Sequence, residues 1–243
     1  MINFAHRGAS QYAPENTMAA FNLGVKMGAD GIETDVQETS DGKLVLFHDN
    51  SLKRTLSIDG SIRDYTWREL SNFDAGIYKG EEYRGEPLVL LEDFLSAFGH
   101  SGLHLAIEIK QVGIEEKVLK TVRQYVRDED FTITSFIRES VIHLASLPNR
   151  PQLGFLARGF SPLLLDYLKS IGINEYCPEA ITMNENMVEE AARRNMRVRA
   201  WGVKTPELME KVLSFDIYGM TVNFPDLLYK RLHDAVKCFY EHS

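Results

Sequence analysis

Eight short apolar runs, each followed by a polar turn and a stretch of helical periodicity, limit the architecture of this chain more than any other feature. The runs cover residues 2–6, 31–36, 103–109, 131–134, 152–156, 173–177, 197–201 and 217–221. The helical stretches fall at 17–27, 91–98, 115–126, 139–146, 162–170, 186–195, 206–213 and 225–239. In the third of these, Val118, Val122, Tyr125 and Val126 repeat at the spacing of one helix face. Ser161-Pro162 and Thr205-Pro206 read as a capping hydroxyl followed by proline at the first helical position. Strands that alternate with helices pair in parallel, because each helix carries the chain back to start its next strand in the same direction. Eight such units close on themselves, so the expected fold class is α/β, a (β/α)8 TIM barrel. An open doubly wound sheet is the competing arrangement, and no early G-x-G-x-x-G loop supports it.

One segment breaks the alternation. Residues of about 50–90 are polar and weakly patterned, too long for a bare loop, and read as a small inserted subdomain after strand 2. The organisation expected is therefore one catalytic barrel domain over residues 1–243 with that insertion above its rim. Residues 44–47 read as an extra short strand that folds back on 33–38 through the Ser40-Asp41-Gly42 turn. Residues 65–70 read as one helical turn introduced by Thr66. Phe73, Ile77, Tyr78 and Tyr83 would supply either a miniature core or an apolar groove at the rim.

Charge and composition exclude several functions. With 27 Lys and Arg against 35 Asp and Glu the chain carries a formal −8, which argues against a broad nucleic-acid-binding face. The longest stretch free of charged residues, Phe94 to Ile107, has 14 residues, too few to cross a bilayer, so no stable membrane insertion is expected. No apolar stretch preceded by positive charge stands at the N-terminus, so no signal peptide is expected. Cys177 and Cys238 match no metal-ligand spacing and suit a reducing compartment, which points to a cytoplasmic protein. The apolar positions Leu227, Leu228, Leu232, Ala235, Val236 and Phe239 of the last helix cover the barrel, although part of them could serve a dimer. The oligomeric state stays open.

The chemistry-bearing residues gather at strand ends. His6-Arg7-Gly8 ends the first strand, Glu33-Thr34-Asp35 lies near the end of the second, His48-Asp49 follows the extra strand, and Glu108-Ile109-Lys110 ends the third. Strand side chains alternate faces, so Glu33 and Asp35 share one side, as do Glu108 and Lys110. In a barrel these ends converge. Three carboxylates crowded at a water-poor mouth repel one another unless a cation neutralises them. An all-oxygen ligand set without nearby Cys suits one divalent ion, Mg2+ or Ca2+, with Mn2+ possible; an added imidazole would tilt the choice toward Zn2+. Arg7 and Lys110 would hold a phosphate, and His6 and His48 could act as general base and general acid on a P–O bond.

These residues closely resemble the glycerophosphodiester phosphodiesterase family. His6-Arg7-Gly8-Ala9-Ser10 with Ala13-Pro14-Glu15-Asn16-Thr17 resembles its HRG…PENT signature, and Glu33-Thr34-Asp35-Val36 its E-x-D-V element. Val45-Leu46-Phe47-His48-Asp49, Leu52-Lys53-Arg54-Thr55, Glu108-Ile109-Lys110 and Trp201-Gly202-Val203 complete the set, over essentially the whole chain. The resemblance implies a metal bound by Glu33, Asp35 and Glu108, His6 and His48 as acid/base pair, and phosphate held by Arg7 and Lys110. It places Glu15 near the site, orienting Arg7 or His6, and Trp201 beside the substrate's glycerol. The implied reaction splits a small-molecule glycerophosphodiester into sn-glycerol 3-phosphate and an alcohol. The chain departs from the family pattern after Arg54-Thr55 and by one extra residue before Asn223.

Three other readings compete. A lysophospholipase D or phospholipase-like enzyme acting on acylated substrates would use an apolar rim groove. A non-catalytic binding module would have lost an imidazole. A metal-dependent sugar isomerase or aldolase would have less use for Arg7 beside a metal.

Overall fold

The computed structural model describes residues 1–241, with side chains through residue 234. Strand β1 (Ile2–His6) leads into helix α1 (Met18–Lys26), then β2 (Gly31–Glu38) and the short β3 (Leu44–Leu46). Two one-turn helices, α2 (Lys53–Leu56) and α3 (Trp67–Leu70), precede α4 (Leu91–Phe98). Alternation is regular from there: β4 (His104–Ile109), α5 (Glu115–Val122), β5 (Phe131–Ser135), α6 (Arg138–Ser146), β6 (Leu153–Ala157) and α7 (Pro162–Ser170). It ends with β7 (Glu175–Pro178), α8 (Glu185–Arg193), β8 (Arg197–Val203), α9 (Pro206–Leu213), β9 (Gly219–Val222) and α10 (Pro225–Glu241). Eight parallel strands pair in the order β1-β9-β8-β7-β6-β5-β4-β2, and pairing of β1 with β2 closes the ring. The (β/α)8 barrel read from the strand count is the fold observed, and the open sheet is excluded.

Local chemistry sets the element ends. Ser161 accepts the Leu164 backbone N–H at 3.1 Å and Thr205 that of Leu208 at 3.2 Å, each with proline in the first helical turn. Thr66 and Glu69 close a reciprocal capping box on α3, so a turn of only four residues persists. Helix α5 stops at Val122, short of the expected 126. Gln124 and Tyr125 bond back to Thr121 and Val122, a three-residue spacing that tightens the last turn and ends the α-helix while Val126 still packs inward.

Outward strand residues and inward helix faces form one core that includes Ile32, Ile107, Ile133, Phe21, Phe94 and Leu165. Burying each such side chain contributes roughly 1.5–3 kcal/mol. Leu227 and Leu232 of α10 pack on this core and Leu228 lies within it; Ala235, Val236, Cys238 and Phe239 lie outside the described side chains. Inside the barrel the Phe4 ring takes space left by Gly31 and Gly219, where a Cβ would lie 2.7 and 3.0 Å from it. Above it, Arg199 is fully buried and donates to Glu175 at 2.8 Å and to Thr221 at 2.9 Å.

Between β3 and α4 a second, smaller core gathers Phe47, Leu52, Leu56, Ile62, Leu70 and Leu88, with Phe73, Tyr65 and Trp67 packed against it. Three hydrogen bonds tie this segment to the β1–α1 connection and the first turn of α1: Lys79 Nζ to the Ser10 carbonyl (2.7 Å), the Tyr83 hydroxyl to the Tyr12 carbonyl (2.9 Å), and the Ala19 N–H to Glu86 (2.9 Å).

Candidate active site

Strand register builds the mouth. In the β2–β4 ladder Asp35 stands opposite Glu108, and in the β1–β2 ladder His6 stands opposite Glu33. Parallel neighbours in register project the same way, so the three carboxylates and the imidazole converge. Carboxylate oxygens of Glu33, Asp35 and Glu108 all lie within 4.8 Å of one another. Antiparallel β3 returns the chain over this cluster: Val36 pairs with Leu46, and the Phe47 N–H donates to the Asp35 carbonyl at 3.0 Å. Gln37 then clamps the turn by donating to the Phe47 and Asp49 carbonyls, both at 2.9 Å, which sets His48 on the rim.

The connection after β1 is equally constrained. Arg7 and Asn16 are non-glycine residues with φ of 56° and 57°, a conformation that costs of order 1 kcal/mol or more and is retained where surroundings dictate it. Gly8, at φ 82°, packs so closely on α1 that a Cβ would lie 2.4 Å from the Ala20 carbonyl carbon. This turn aims Arg7 into the mouth. Asn16 donates to Asp35 at 3.0 Å and accepts from Thr34 at 2.8 Å, so the PENT element braces the carboxylates from outside.

The carboxylates differ in their proton affinity for stated reasons. Burial, then repulsion from Asp35 and Glu108, raises Glu33 well above the ordinary range. Burial, then Asp35, pushes Glu108 up to about 7. Burial would raise Asp35 too, but Arg7 and then Lys110 outweigh it and hold that carboxyl below the usual range. Arg7 Nε lies 3.1 Å from Asp35, while Lys110 Nζ lies 3.6 Å from Asp35 and 2.7 Å from Glu108. Two buried oxygens, Glu33 Oε2 and Asp35 Oδ1, have no hydrogen-bond partner. Orphaned carboxylate oxygens on two side chains beside a third carboxylate are what a hard divalent cation requires, so the donor set fits such an ion.

The imidazoles are held by different partners. His48 Nδ1 lies 2.7 Å from Asp49 Oδ1; the ionised carboxylate only accepts, so Nδ1 carries the proton and Nε2 is left free. His6 Nδ1 lies 2.6 Å from Asn223 Oδ1, which leaves its Nε2 facing Glu33 at 3.8 Å. Burial and then the Arg7 charge push His6 down to about 3, although its edge still reaches the cleft. His6 is therefore a neutral imidazole at pH 7.

Arg54 connects these groups. It grips Glu15 through two nitrogens at 2.7 and 2.6 Å and Asp49 at 2.6 Å, while Glu15 in turn accepts from Arg7 at 2.8 Å. Glu15 thus bonds Arg7, one of the two residues beside which it was expected. The Tyr78 hydroxyl accepts the Glu15 backbone N–H at 3.0 Å.

All this opens on a cleft of about 720 Å³. Its near side is His6, Arg7, Glu33, His48, Glu108 and Lys110; Phe136, Leu156, Arg158, Trp201 and Lys204 form the far wall. Trp201 stands edge-on to Phe136 at 4.9 Å and donates Nε1 to the Ala157 carbonyl at 3.3 Å. A register shift between β8 and β9 next to Trp201 re-aims it toward the cleft. None of Phe73, Ile77, Tyr78 and Tyr83 lines this cleft. Phe73 joins the second core, and the two Tyr hydroxyls bond to backbone, so these insertion residues do not supply the apolar groove at the cleft that the lysolipid reading expected of them.

All nine expected site residues therefore lie together: seven line the cleft, and behind them Glu15 bonds Arg7 while Asp35 ion-pairs with Arg7 and Lys110. Sequence reasoning assigned no place to Arg54, Asn16, Arg199 with Glu175, or Phe136, and left Asn223 uncertain. For Arg199 a signal existed: a charged residue alternating with Ala and Val inside an apolar run has to be buried and paired.

A closed barrel with acids, imidazoles and phosphate-suited cations at the carboxyl ends of its strands defines the class, a phosphoester hydrolase on a TIM barrel. Residues 6–227 match the Glycerophosphoryl diester phosphodiesterase family, and the chain belongs to it. It is 32% identical over 231 residues to a glycerophosphodiester phosphodiesterase of Caldanaerobacter subterraneus subsp. tengcongensis, covering 92% of this chain and 94% of that protein. A glycerophosphodiester phosphodiesterase of Bacillus altitudinis matches with the same identity and coverages. In fold it superposes on an Oleispira antarctica phosphodiesterase in complex with the product sn-glycerol-3-phosphate, with a TM-score of 0.87, 24% identity and coverage of 95% and 96%. Among the described residues no helix is long and apolar enough to cross a membrane.

Proposed function

We propose that this chain hydrolyses glycerophosphodiesters to sn-glycerol 3-phosphate and an alcohol, with one divalent cation, Mg2+ or Ca2+, held by Glu33, Asp35 and Glu108. The observation that carries the reading is the β2–β4 register. It sets Asp35 beside Glu108, leaves two buried carboxylate oxygens without partners, and stacks both cations and both imidazoles around them. The product held by the Oleispira antarctica relative supports the same substrate class. The cation, when bound, supplies Lewis-acid charge at a phosphoryl oxygen and relieves carboxylate repulsion.

This chain's own residues would do the rest. Arg7, oriented by Glu15, offers its guanidinium to the phosphate, and Lys110 adds a point charge. Trp201 packs beside the glycerol. His6, kept neutral by burial, takes the proton from the substrate's own glycerol hydroxyl as that oxygen attacks phosphorus. With a proton also on Nε2, His48, its Nδ1 held by Asp49, delivers that Nε2 proton to the departing alcohol. Water then opens the cyclic phosphate with the two imidazole roles exchanged. A substrate lacking the attacking hydroxyl tests this order: unchanged turnover would mean that water attacks directly. We assign the segment of about 50–90 as an insertion within one catalytic domain, and place the protein in the cytoplasm, consistent with the free, buried Cys177 thiol.

The test is a panel of glycerophosphodiesters assayed after chelation and re-addition of single metals. Loss and return of turnover supports the reading. Full turnover after chelation, or cleavage of no diester, overturns it.

A further inference from the structure

The far wall of the cleft carries charge that the reaction above leaves unused. Arg158 and Lys204 line it and are exposed at its edge. Among the described residues neither has a carboxylate partner, whereas Arg7, Arg54, Lys110 and Arg199 are all ion-paired. The cleft-lining acids are already engaged: Glu108 with Lys110, Asp49 with Arg54, and Glu33 within the carboxylate cluster. Glu179 pairs with Trp201 through its backbone and its side chain lies near Gly202, but it neither lines the cleft nor bonds Lys204. Two cations without carboxylate partners thus stand at the mouth of a chain whose net charge is −8.

The aromatic groups beside them lead to the same conclusion. A quaternary ammonium group is bound by free aromatic faces. Here the Arg158 guanidinium lies over the Phe136 ring at 5.3 Å, and the Phe136 and Trp201 rings stand perpendicular at 89°. A cation already stands over the Phe136 ring, and a second one lines the same wall. Trp201 is half-buried while Arg158 and Lys204 are exposed, so an arm reaching both cations is the one extending outward from the phosphate, the leaving alcohol.

Resting on the proposed hydrolysis, we infer that Arg158 and Lys204 select diesters whose leaving alcohol bears an anionic group, such as a terminal phosphate, over those bearing choline. Water still adds across the same P–O bond; only the charge of the released alcohol differs.

A matched series tests this: glycerophosphoglycerol, the same diester with a phosphate on its terminal hydroxyl, and glycerophosphocholine. The expected kcat/KM for the terminal phosphate exceeds that for the neutral diester by roughly fivefold or more, the scale of two partly exposed charge contacts. In Arg158→Ala/Lys204→Ala the ratio falls to about one, and in Arg158→Glu/Lys204→Glu it inverts in favour of choline. Each ratio is taken within one preparation, so loss of folded enzyme leaves it unaffected. A smaller preference in the wild type, or one that survives both double variants, overturns the inference while leaving the hydrolysis intact. Cleavage of none of the three diesters overturns the hydrolysis itself.

Discussion

His48 shows how much of the site depends on single contacts. Its ring is fixed by one carboxylate, Asp49, which is fixed by Arg54, which also fixes Glu15 and through it Arg7. His48→Ala should lower kcat by about a hundredfold or more, as removal of a general acid does, with KM little changed. Wild-type turnover in that variant would remove His48 from the chemistry. Arg54→Ala should cost less in kcat, on the order of tenfold, because Glu15 and Asp49 persist but lose their bidentate restraint. Arg54→Lys should recover only part of it, since an ammonium group cannot span both carboxylates; full recovery in steady-state assays would mean that charge alone matters. Asn223 holds the other imidazole at 2.6 Å, although the extra residue before it in the sequence obscured that role. Spacing reveals side chains on one strand face, but partners 217 residues apart become neighbours only when the barrel closes.

Strands and turns explain which parts of the molecule could be read in advance. Period-two alternation placed Glu33 with Asp35 and Glu108 with Lys110 before any register was known, and closure then aligned the two pairs. The segment between β3 and α4 was harder, because its core comes from residues such as Leu52, Ile62, Leu70 and Leu88 that follow no single period. The interior polar pair was also missed. Burying Arg199 and Glu175 is tolerable because they neutralise each other, Arg197 also pairs with Glu175, and Arg199 adds a hydrogen bond to Thr221. Glu175→Ala should therefore cost about 3–5 kcal/mol in unfolding free energy by urea titration, as loss of one partner of a buried pair does. A change within experimental error would mean the pair is not structurally coupled. Gly8→Ala should cost about 1–3 kcal/mol through its φ of 82° and its contact with α1, visible as a lowered urea midpoint.

Taken as a whole, the molecule is an acidic barrel with a group of cations at one mouth and a half-buried imidazole, His104, at the opposite end. His104 packs against Phe4 and Tyr218 and bonds Thr132 at 2.9 Å. Burial lowers it from 6.5 to about 4. Between those values the unfolded chain binds the extra proton, so His104's contribution is complete above about pH 6.5 and is lost as pH falls toward 4. In urea titrations across that window His104→Gln should remove a slope of up to ~1.4 kcal/mol per pH unit relative to wild type; an unchanged slope would contradict this. At the mouth, everything depends on a dication seated among Glu33, Asp35 and Glu108. Titration of metal-free protein with Mn2+, followed by electron paramagnetic resonance, examines that seat without relying on turnover. The expected result is one ion bound per chain, lost in Glu33→Ala and in Glu108→Ala while both variants keep their fold by circular dichroism. Undiminished binding in those folded variants, or no binding to the wild type, would contradict it.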